Sequence, residues 1–265
     1  AATIRSLVDA GLIEVTEENV YRKPVLKSDL SGKDGTAKQL SAEQQAVVDA
    51  ISQDYSQGIS QTYLLRGITG SGKTEVYMAL IERMIAGGKQ AIVLIPEIAL
   101  TYQTLLRFYL RFGDRVSVMN SRLSPGERSD QYERAAKGEI DIMIGPRSAL
   151  FTPFERLGLV IIDEEHESSY KSETMPKFHA REVAQELCRM KHASLLLGSA
   201  TPSLESYYRA RQGEIPLFTL NSRLTGGELP KVYIEDLREE LKSGNRSIFS
   251  RRLQQLLEDR LAKGQ

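Results

Sequence analysis

The sequence predicts an α/β fold in which a doubly wound parallel β-sheet carries helices on both faces. From about residue 39 to about residue 220, apolar runs alternate with segments of helical spacing. Residues 91–95 and 159–162 are continuously apolar and lack the alternation of a half-exposed strand, so we expect both of their faces to be covered. Sheets of this kind bind ligands at the carboxyl ends of their strands.

The predicted elements follow one another along this region. Strands are predicted at residues 63–65, 90–95, 116–119, 140–145, 159–163 and 194–198, and helices at residues 75–86, 99–112, 124–137 and 178–191. Each of the first strands is followed by a helix, which is the order that parallel strands require.

Two further regions flank this domain, which we assign to residues 39–225. Residues 1–27 are predicted to be the C-terminal part of a winged-helix domain, because an amphipathic helix at 2–11 precedes hairpin strands at 12–15 and 19–21. A plain helix–hairpin fragment without a ligand is the alternative. Residues 28–38 are rich in Ser, Gly, Lys and Asp, which is typical of a linker.

The C-terminal residues 226–265 are predicted to begin a second domain. A strand is predicted at 232–234 and a helix at 250–262, after which the sequence stops. We expect this domain to be truncated. The chain also starts without a methionine, which is expected of a piece of a longer protein.

The composition indicates a globular protein without a global charge. The 35 basic and 35 acidic residues cancel, so any surface that binds nucleic acid must be local. One cysteine, Cys188, allows neither an internal disulfide nor a cysteine-rich zinc site. No apolar run approaches the roughly 20 residues that a membrane span needs, so we expect a cytoplasmic protein without a membrane partner.

A glycine-rich loop lies between a predicted strand and a predicted helix. It fits the phosphate-binding pattern G-x-x-x-x-G-K-[ST] and consists of Gly67, Ile68, Thr69, Gly70, Ser71, Gly72, Lys73 and Thr74. Glycines let backbone N–H groups approach phosphate oxygens, and the helix adds the positive end of its dipole. We expect Lys73 to reach the β- and γ-phosphates of ATP, and Thr74 to bind Mg²⁺. A glycine-rich turn without a ligand is the alternative, but the strand–loop–helix order favours the nucleotide.

Acidic residues follow the buried strand at 159–163. Asp163 stands where nucleotide-hydrolysing proteins place a second magnesium ligand, and Glu164 is expected to orient or activate the attacking water. A solvated acidic start of a helix is the alternative. His166 completes an Asp-Glu-x-His sequence and is a candidate for coupling the site to other segments.

Small hydroxyl residues follow the apolar run at 195–197. Ser199 and Thr201 lie in the sequence Gly-Ser-Ala-Thr-Pro, and we expect them to hydrogen-bond the acidic segment and respond to the γ-phosphate. A strand-to-helix turn with a hydroxyl cap is the alternative.

Together, these motifs resemble the first motor lobe of superfamily-two helicases and translocases, a RecA-like lobe with a phosphate-binding loop. The resemblance is closer to the primosomal replication-restart helicases. It is carried by residues 67–77, 96–101, 145–151, 163–166 and 198–203, while residues 12–24 resemble the wing and exit segment of that family's winged helix. Residues 226–265 would then begin the second lobe.

The resemblance implies a 3′-to-5′ DNA helicase that hydrolyses ATP with Mg²⁺ on single-stranded and forked DNA. Its implied partners are primosomal and single-strand-binding proteins. Gln44 matches the residue that reads adenine, although the segment also fits a helix that is N-capped by Ser41. The family also carries two zinc sites and a second lobe, and we expect both outside this chain.

The same resemblance implies a DNA-contacting side. Thr101, Gln103, Arg147 and Ser148 match segments that touch the backbone of single-stranded DNA, although a surface ion pair is an alternative for Arg147. An aromatic-rich loop that couples DNA contact to hydrolysis supplies the candidates Tyr170, Lys171, Phe178, His179 and Arg181. Met175 and Pro176 stand where some relatives have tryptophan, so stacking falls to Tyr170 or Phe178. For Phe178, a role in anchoring the next helix is the alternative.

Three other functions remain open from the sequence. One is a different superfamily-two motor, such as a branch-migration helicase or a restriction-type translocase. Another is a nucleotide-gated module that binds DNA or proteins. The third, phosphoryl transfer to a small molecule, is disfavoured because no acceptor-site motif is present.

Overall fold

The computed structural model describes residues 2–14, 38–223 and 231–264. Its contacts divide the chain into a large unit, residues 1–225, and a small unit, residues 226–265. Each unit is considered by itself.

The large unit contains one sheet of seven strands, all paired in parallel. The strands are β1 (Thr62–Gly67), β2 (Gln90–Leu94), β3 (Val116–Val118), β4 (Ile142–Gly145), β5 (Leu157–Asp163), β6 (Ser194–Ser199) and β7 (Leu217–Leu220). Their order across the sheet is β3-β4-β2-β5-β6-β1-β7. The predicted α/β fold is confirmed, and the structure adds β7 as an edge strand that was not predicted.

Helices cover both faces of this sheet. The helices of the large unit are α1 (Ala2–Asp9), α2 (Ala42–Ser56), α3 (Lys73–Ala86), α4 (Tyr102–Phe112), α5 (Pro125–Ala136), α6 (Ala180–Lys191) and α7 (Leu204–Arg211). Short 3₁₀ turns lie at Gly113–Arg115, Arg147–Phe151 and Ser168–Tyr170.

Two apolar clusters lie on opposite sides of the sheet, which explains why the strand sequences do not alternate. Ala91 and Val93 of β2 pack beneath α2, α3 and α4, whereas Ile92 and Leu94 pack beneath α5, α6 and α7. All four side chains are fully buried. The carboxyl ends of the strands therefore form one edge between two helical layers, where side chains from different strands can meet.

The start of the chain is only partly described. Helix α1 is followed by Gly11, whose φ of 64° agrees with the predicted glycine cap. Most of the predicted hairpin and linker fall within residues 15–37, which lie outside the described residues.

The small unit contains helices α8 (Leu237–Lys242) and α9 (Arg251–Ala262). The latter matches the predicted helix at 250–262. The predicted strand at 232–234 was wrong: residues 231–236 have no strand assignment, because a strand forms only where a neighbour completes its hydrogen bonds. The guanidinium of Arg252 instead lies 3.4 Å from the ring centre of Tyr233.

In the described part of the chain, every helix is too short or too polar to cross a membrane.

Gly145 at the end of β4 is expected to be sensitive to substitution. An added Cβ would overlap the backbone oxygen of Met119, which cannot move without shifting a neighbouring segment. We expect Gly145→Ala to destabilise the chain by about 1–3 kcal/mol. In the control variant Gly87→Ala, the nearest atom to the Cβ would be the Tyr55 hydroxyl at 3.3 Å, with the backbone oxygens of Met84 and Arg83 at 3.4 and 3.6 Å, and we expect a change below about 1 kcal/mol. Urea denaturation measures both, and equal losses would contradict the role of close packing at β4.

Candidate nucleotide-binding site

The sheet brings the chemical motifs together at the carboxyl ends of three neighbouring strands. Strand β6 lies between β1 and β5, so Gly198 pairs with Leu65 on one side and with Asp163 on the other. The glycine-rich loop follows β1, the acidic residues end β5, and the segment from Ser199 to Thr201 follows β6. Three segments that are far apart in sequence thus share one end of the sheet.

The backbone of the glycine-rich loop is shaped by its glycines. Gly70 and Gly72 have φ angles of 82° and 80°, which residues with a Cβ rarely adopt. A Cβ on Gly67 would lie 2.6 Å from the Ser71 hydroxyl oxygen. Helix α3 then begins at Lys73 without a side-chain cap, so its first N–H groups are available to an anion.

Two features of this loop fit a bound phosphate. The hydroxyl of Ser71 is buried and has no hydrogen-bond partner among the described residues. The ammonium group of Lys73 is only 10% exposed, and it donates to the carbonyl of Gly67 at 2.9 Å. Lys73 Nζ also lies 3.5 Å from Glu164 Oε1. A buried cation that is held by the loop itself can exchange these partners for phosphate oxygens.

Asp163 is held at both its side chain and its backbone. The Tyr77 hydroxyl donates to Asp163 Oδ1 at 2.9 Å, and the Tyr170 hydroxyl donates to the Asp163 carbonyl at 2.7 Å. Burial raises the pKa of the Asp163 carboxyl above its usual range, the Tyr77 hydrogen bond lowers it in part, and the neighbouring charge of Glu164 raises it further. Burial and the adjacent Asp163 likewise raise the pKa of Tyr77.

A sharp turn separates Asp163 from the next carboxylate. Glu164 has a φ of 46°, which is uncommon for a residue with a long side chain. Its side chain is 32% exposed. One carboxylate oxygen, Oε1, lies 3.5 Å from Lys73 Nζ, and the other, Oε2, lies 3.7 Å from His166 Nδ1. Glu164 is therefore the more accessible of the two carboxylates.

The three residues that were predicted to couple segments are in contact. His166 Nδ1 and the Ser199 hydroxyl are 2.8 Å apart, and the backbone N–H of Thr201 donates to the same hydroxyl at 3.0 Å. The end of β6 is thus linked to the acidic segment by hydrogen bonds. Their role in coupling stays a prediction.

Gln44, the predicted adenine-binding residue, is buried and engaged at both ends of its amide. Its oxygen accepts from the N–H of Ser41, and its Nε2 donates to the Ser71 carbonyl at 2.8 Å. The first contact belongs to a capping box at the start of α2, so the capping alternative is part of the structure. The second contact ties α2 to the glycine-rich loop.

The donors of a magnesium site are present in part. The Thr74 hydroxyl and the Asp163 carboxylate are hard oxygen ligands, and Mg²⁺ in nucleotide sites takes most of its remaining ligands from phosphates and water. The residues that the structure describes contain no group of three or more His, Cys, Asp or Glu side chains suited to a metal. This donor set fits a metal that arrives with a nucleotide.

The segments that were predicted to contact DNA follow β2 and β4. Thr101 caps α4, with its hydroxyl accepting from the N–H of Thr104, and Gln103 is exposed in the first turn. Arg147 donates to the carbonyls of Ser169 and Lys171 at 2.9 and 2.8 Å. These hydrogen bonds hold the loop that follows β5, so the partners of the guanidinium are backbone carbonyls and not the surface carboxylate that the alternative required. The carbonyl of Ser148 accepts from Tyr132.

Tyr170 requires a correction, because its ring cannot stack on DNA in this structure. The side chain is 1% exposed, and its hydroxyl donates to the carbonyls of Leu94 and Asp163. Phe178 is partly exposed, and its ring meets the ring of Phe151 edge-on with 5.5 Å between centres. Since Phe151 is itself 55% exposed, these two rings together present an aromatic surface beside the loop.

The loop between Tyr170 and α6 is closed at its base. Lys171 and His179 form an antiparallel bridge, and the N–H of Ser172 donates to the Phe178 carbonyl at 2.7 Å. Lys171 is exposed, whereas His179 caps α6 through Nδ1, which accepts from the N–H of Arg181.

Arg181 also requires a correction, because it faces inward. The Arg181 side chain is 14% exposed, and its guanidinium contacts the carboxylate of Glu165 at 3.2 Å, where the side chain of Glu165 is completely buried. The same carboxylate accepts hydrogen bonds from Ser203 and Ser206 at the start of α7. This partner was not predictable from the sequence, since the contact joins residues that are distant along the chain.

Glu165 and Tyr77 support the site through buried contacts, and neither was predicted from the sequence. Glu165 lies within the acidic segment, but nothing local distinguishes it from a solvated carboxylate. Tyr77 does carry a signal: it follows Lys73 by four residues and Thr74 by three, so it shares their side of α3.

Comparisons with known proteins identify the family of this chain. Residues 41–210 match the DEAD/DEAH box helicase family, which is more than half of the chain. The chain belongs to the DEAD/DEAH box helicase family.

Within that family, the chain is similar to replication restart protein PriA. The protein of Bacillus subtilis is 46% identical over 265 residues, which cover 100% of this chain and 33% of the relative. The protein of Synechocystis is 43% identical over 273 residues, covering 100% of this chain and 32% of the relative. The chain thus spans about a third of the length of these curated relatives.

The fold has a counterpart among solved structures. A structure of RecG bound to a three-way DNA junction superposes with a TM-score of 0.55 and 24% identity, over 72% of this chain and 25% of that one. This likeness supports the lobe's fold.

The Arg181–Glu165 pair is expected to matter for stability. Arg181→Ala would leave a buried carboxylate without its cation, and we expect a loss of about 3–5 kcal/mol in the free energy of unfolding. Adding Glu165→Gln should recover part of this loss, since no buried charge remains. Arg189→Ala, which breaks an exposed pair with Glu186, is the control and should have little effect. Chemical denaturation of the unaltered chain and the three variants measures these differences, and a small effect of Arg181→Ala would refute the buried pairing.

His179 is expected to make the start of α6 sensitive to pH. Burial, followed by the charge of Arg181, lowers the pKa of His179 below 6.5, so the neutral ring can accept the capping hydrogen bond. Because the unfolded chain binds this proton more readily, stability is lost as pH falls from about 6.5 through the folded pKa. His179→Asn keeps a capping acceptor that does not titrate. Urea midpoints of both proteins between about pH 7.5 and pH 5 should diverge toward acid, and parallel curves would contradict this role.

Proposed function

We propose that this chain is the first motor lobe of an ATP-dependent DNA helicase of replication restart, moving 3′ to 5′ along single-stranded DNA. The observation that carries the proposal is that Lys73, in the loop after β1, lies beside the acidic end of β5, with β6 between the two strands. The 3.5 Å distance between Lys73 Nζ and Glu164 Oε1 supports a site in which a cation binds phosphate next to a base. The curated relatives, which are named replication restart proteins, support the biological role.

Each residue has a defined task in this proposal. Lys73 leaves the Gly67 carbonyl and binds the β- and γ-phosphates, while the N–H groups of the loop and of α3 bind their remaining oxygens. Glu164 orients the attacking water and accepts its proton. Thr74 and Asp163 would hold the Mg²⁺ that comes with ATP. When bound, this ion neutralises charge on the phosphates.

The DNA is proposed to contact a different part of the same edge. Thr101, Gln103 and Ser148 offer polar groups to sugar and phosphate, and Lys171 adds a positive charge. The paired rings of Phe151 and Phe178 offer an aromatic surface, which is sequence-tolerant because every base has a stacking face. Arg147 stabilises the loop that carries Lys171 through hydrogen bonds to the carbonyls of Ser169 and Lys171.

Other parts of the machine are proposed to lie outside this chain. A second lobe would supply the arginine that completes the ATP site. The two zinc sites would also lie outside this chain. Primosomal and single-strand-binding proteins are the proposed protein partners, and forked DNA is the proposed substrate.

Removal of the Lys73 ammonium tests nucleotide binding directly. Lys73→Ala should weaken ATP binding by this chain at least about tenfold, since charge-assisted hydrogen bonds contribute roughly 1.5–3 kcal/mol. Lys191→Ala removes a surface lysine from the end of α6 and is the matched control. Titration with a fluorescent ATP analogue measures both, and equal affinities of the two variants would contradict the proposed site.

Hydrolysis separates a motor from a nucleotide-gated binding module. An arginine from a second lobe is worth about 10³–10⁵ in rate, so this chain alone should bind ATP and hydrolyse it slowly, with or without single-stranded DNA. DNA-stimulated turnover of this chain above about 1 s⁻¹ would contradict the shared site. In the complete protein, Glu164→Gln should abolish unwinding and keep ATP binding, whereas a binding module would keep its role.

A further inference from the structure

Tyr77 is a buried tyrosine that touches the acidic end of β5. It lies on α3, one turn beyond Thr74, and is 1% exposed. Its hydroxyl donates to Asp163 Oδ1 at 2.9 Å. The contact therefore joins the helix that starts at the phosphate-binding loop to the carboxylate proposed to hold Mg²⁺.

The hydrogen bond restricts how Asp163 can be oriented. The Tyr170 hydroxyl fixes the backbone carbonyl of Asp163 at 2.7 Å, and Tyr77 fixes one carboxylate oxygen. With both ends held, rotation of the side chain would break the hydrogen bond from Tyr77 inside a buried region, where an unpaired polar group is costly. Tyr77 engages Oδ1 and does not occupy Oδ2, the other carboxylate oxygen.

The neighbouring strand makes room for this hydroxyl. Gly198 of β6 pairs with Asp163 in the sheet, and a Cβ at Gly198 would overlap the Tyr77 hydroxyl oxygen and lie 2.8 Å from Cζ. The glycine leaves the space that the hydroxyl of Tyr77 occupies. A phenylalanine at position 77 would lack the hydroxyl, which is the atom that such a Cβ would overlap most, although its Cζ would still be 2.8 Å away. Most of the space that Gly198 leaves is therefore taken by the hydroxyl group.

A buried tyrosine with an acceptor could simply be a satisfied core residue, and the same fold contains such a case. Tyr63 is fully buried, and its hydroxyl donates to Asp54 Oδ2 at 2.8 Å. It lies near the beginning of β1, whereas the glycine-rich loop follows the end of that strand. Tyr63 and Asp54 therefore provide a tyrosine–aspartate hydrogen bond of similar length away from the proposed metal site.

We propose that Tyr77 is a positioning residue for metal-dependent nucleotide binding. Its hydroxyl, admitted by Gly198, holds the Asp163 carboxylate in the orientation that receives the Mg²⁺ of the nucleotide. This inference rests on the proposed function, since it assigns a support to the magnesium ligand of that site. It concerns binding, and it can be measured without turnover.

The experiment compares the metal dependence of nucleotide binding in this chain, Tyr77→Phe and Tyr63→Phe. A non-hydrolysable ATP analogue is titrated in EDTA and then with excess Mn²⁺, and the ratio of the two affinities is the metal-dependent gain. Electron paramagnetic resonance of the bound Mn²⁺ provides a direct view of its ligands. We expect Tyr77→Phe to reduce the gain about 10–100-fold, as loss of a group that orients a metal ligand usually does. Tyr63→Phe should leave it unchanged.

The titration in EDTA separates positioning from a loss of folding. All three proteins should bind the analogue with similar affinity when no metal is present, because the loop and Lys73 are intact. An equal metal-dependent gain in Tyr77→Phe and Tyr63→Phe would overturn the role of Tyr77 and leave the proposed function standing. Absence of any metal-dependent gain in the unaltered chain would overturn both.

Gly198→Ala tests the space around the hydroxyl. Alone, it should displace the Tyr77 hydroxyl and lower the metal-dependent gain. Combined with Tyr77→Phe, it should add less loss than it causes alone, because the hydroxyl that it displaces most strongly is already gone. Fully additive losses would show that Gly198 acts independently of Tyr77 and would overturn the proposed accommodation.

Discussion

The burial of the Asp163 carboxylate is the constraint on which the site depends. The residue ends a strand that is covered on both faces, and burial there disfavours its charged form, as the raised pKa reflects. A carboxylate that is to bind a cation in such a place needs donors that stabilise its charge and fix its direction. Tyr77 supplies a hydrogen bond, Lys73 supplies a positive charge nearby, and Gly198 supplies space. The packing of α3 against β5 and β6 therefore provides Asp163 with a hydrogen-bond donor and a nearby cation, and it leaves space for that donor.

The acidic segment connects four parts of the fold through four consecutive residues. Asp163 contacts α3, Glu164 lies beside Lys73, Glu165 pairs with α6 and the start of α7, and His166 contacts the end of β6. The left-handed backbone at Glu164 contributes to this, because it turns the chain sharply between the buried Asp163 and the residues that follow. Such a turn is strained for a glutamate, and strain of this kind is common where a chain must present several side chains within a short length. Because the four residues are consecutive, a shift of the backbone at one of these contacts would also displace the neighbouring contacts.

The sequence predicted the features that depend on local pattern and missed those that depend on distant partners. Buried strands were recognisable because residues 91–95 and 159–162 are apolar on both faces, and the loop was recognisable from the spacing of its glycines. Residues 232–234 have the same apolar character, yet they form no strand, because hydrogen bonding to a neighbour decides that outcome. Tyr170 and Arg181 were predicted to face DNA, because the segment that contains them resembles the family's aromatic-rich loop. Their partners, the carbonyls of Leu94 and Asp163 and the carboxylate of Glu165, become neighbours only once the sheet has formed.

Two polar side chains at the glycine-rich loop have partners within the fold. Gln44 uses both ends of its amide, and Lys73 has a carbonyl and a carboxylate as partners. In the proposed function, the phosphates of a nucleotide would replace these partners of Lys73, and only the difference between the two sets of contacts would contribute to affinity. Because Gly67 and Glu164 belong to the fold itself, release of a nucleotide would return Lys73 to them rather than leave a buried cation unpaired. Such a site favours rapid exchange of its ligand over long retention.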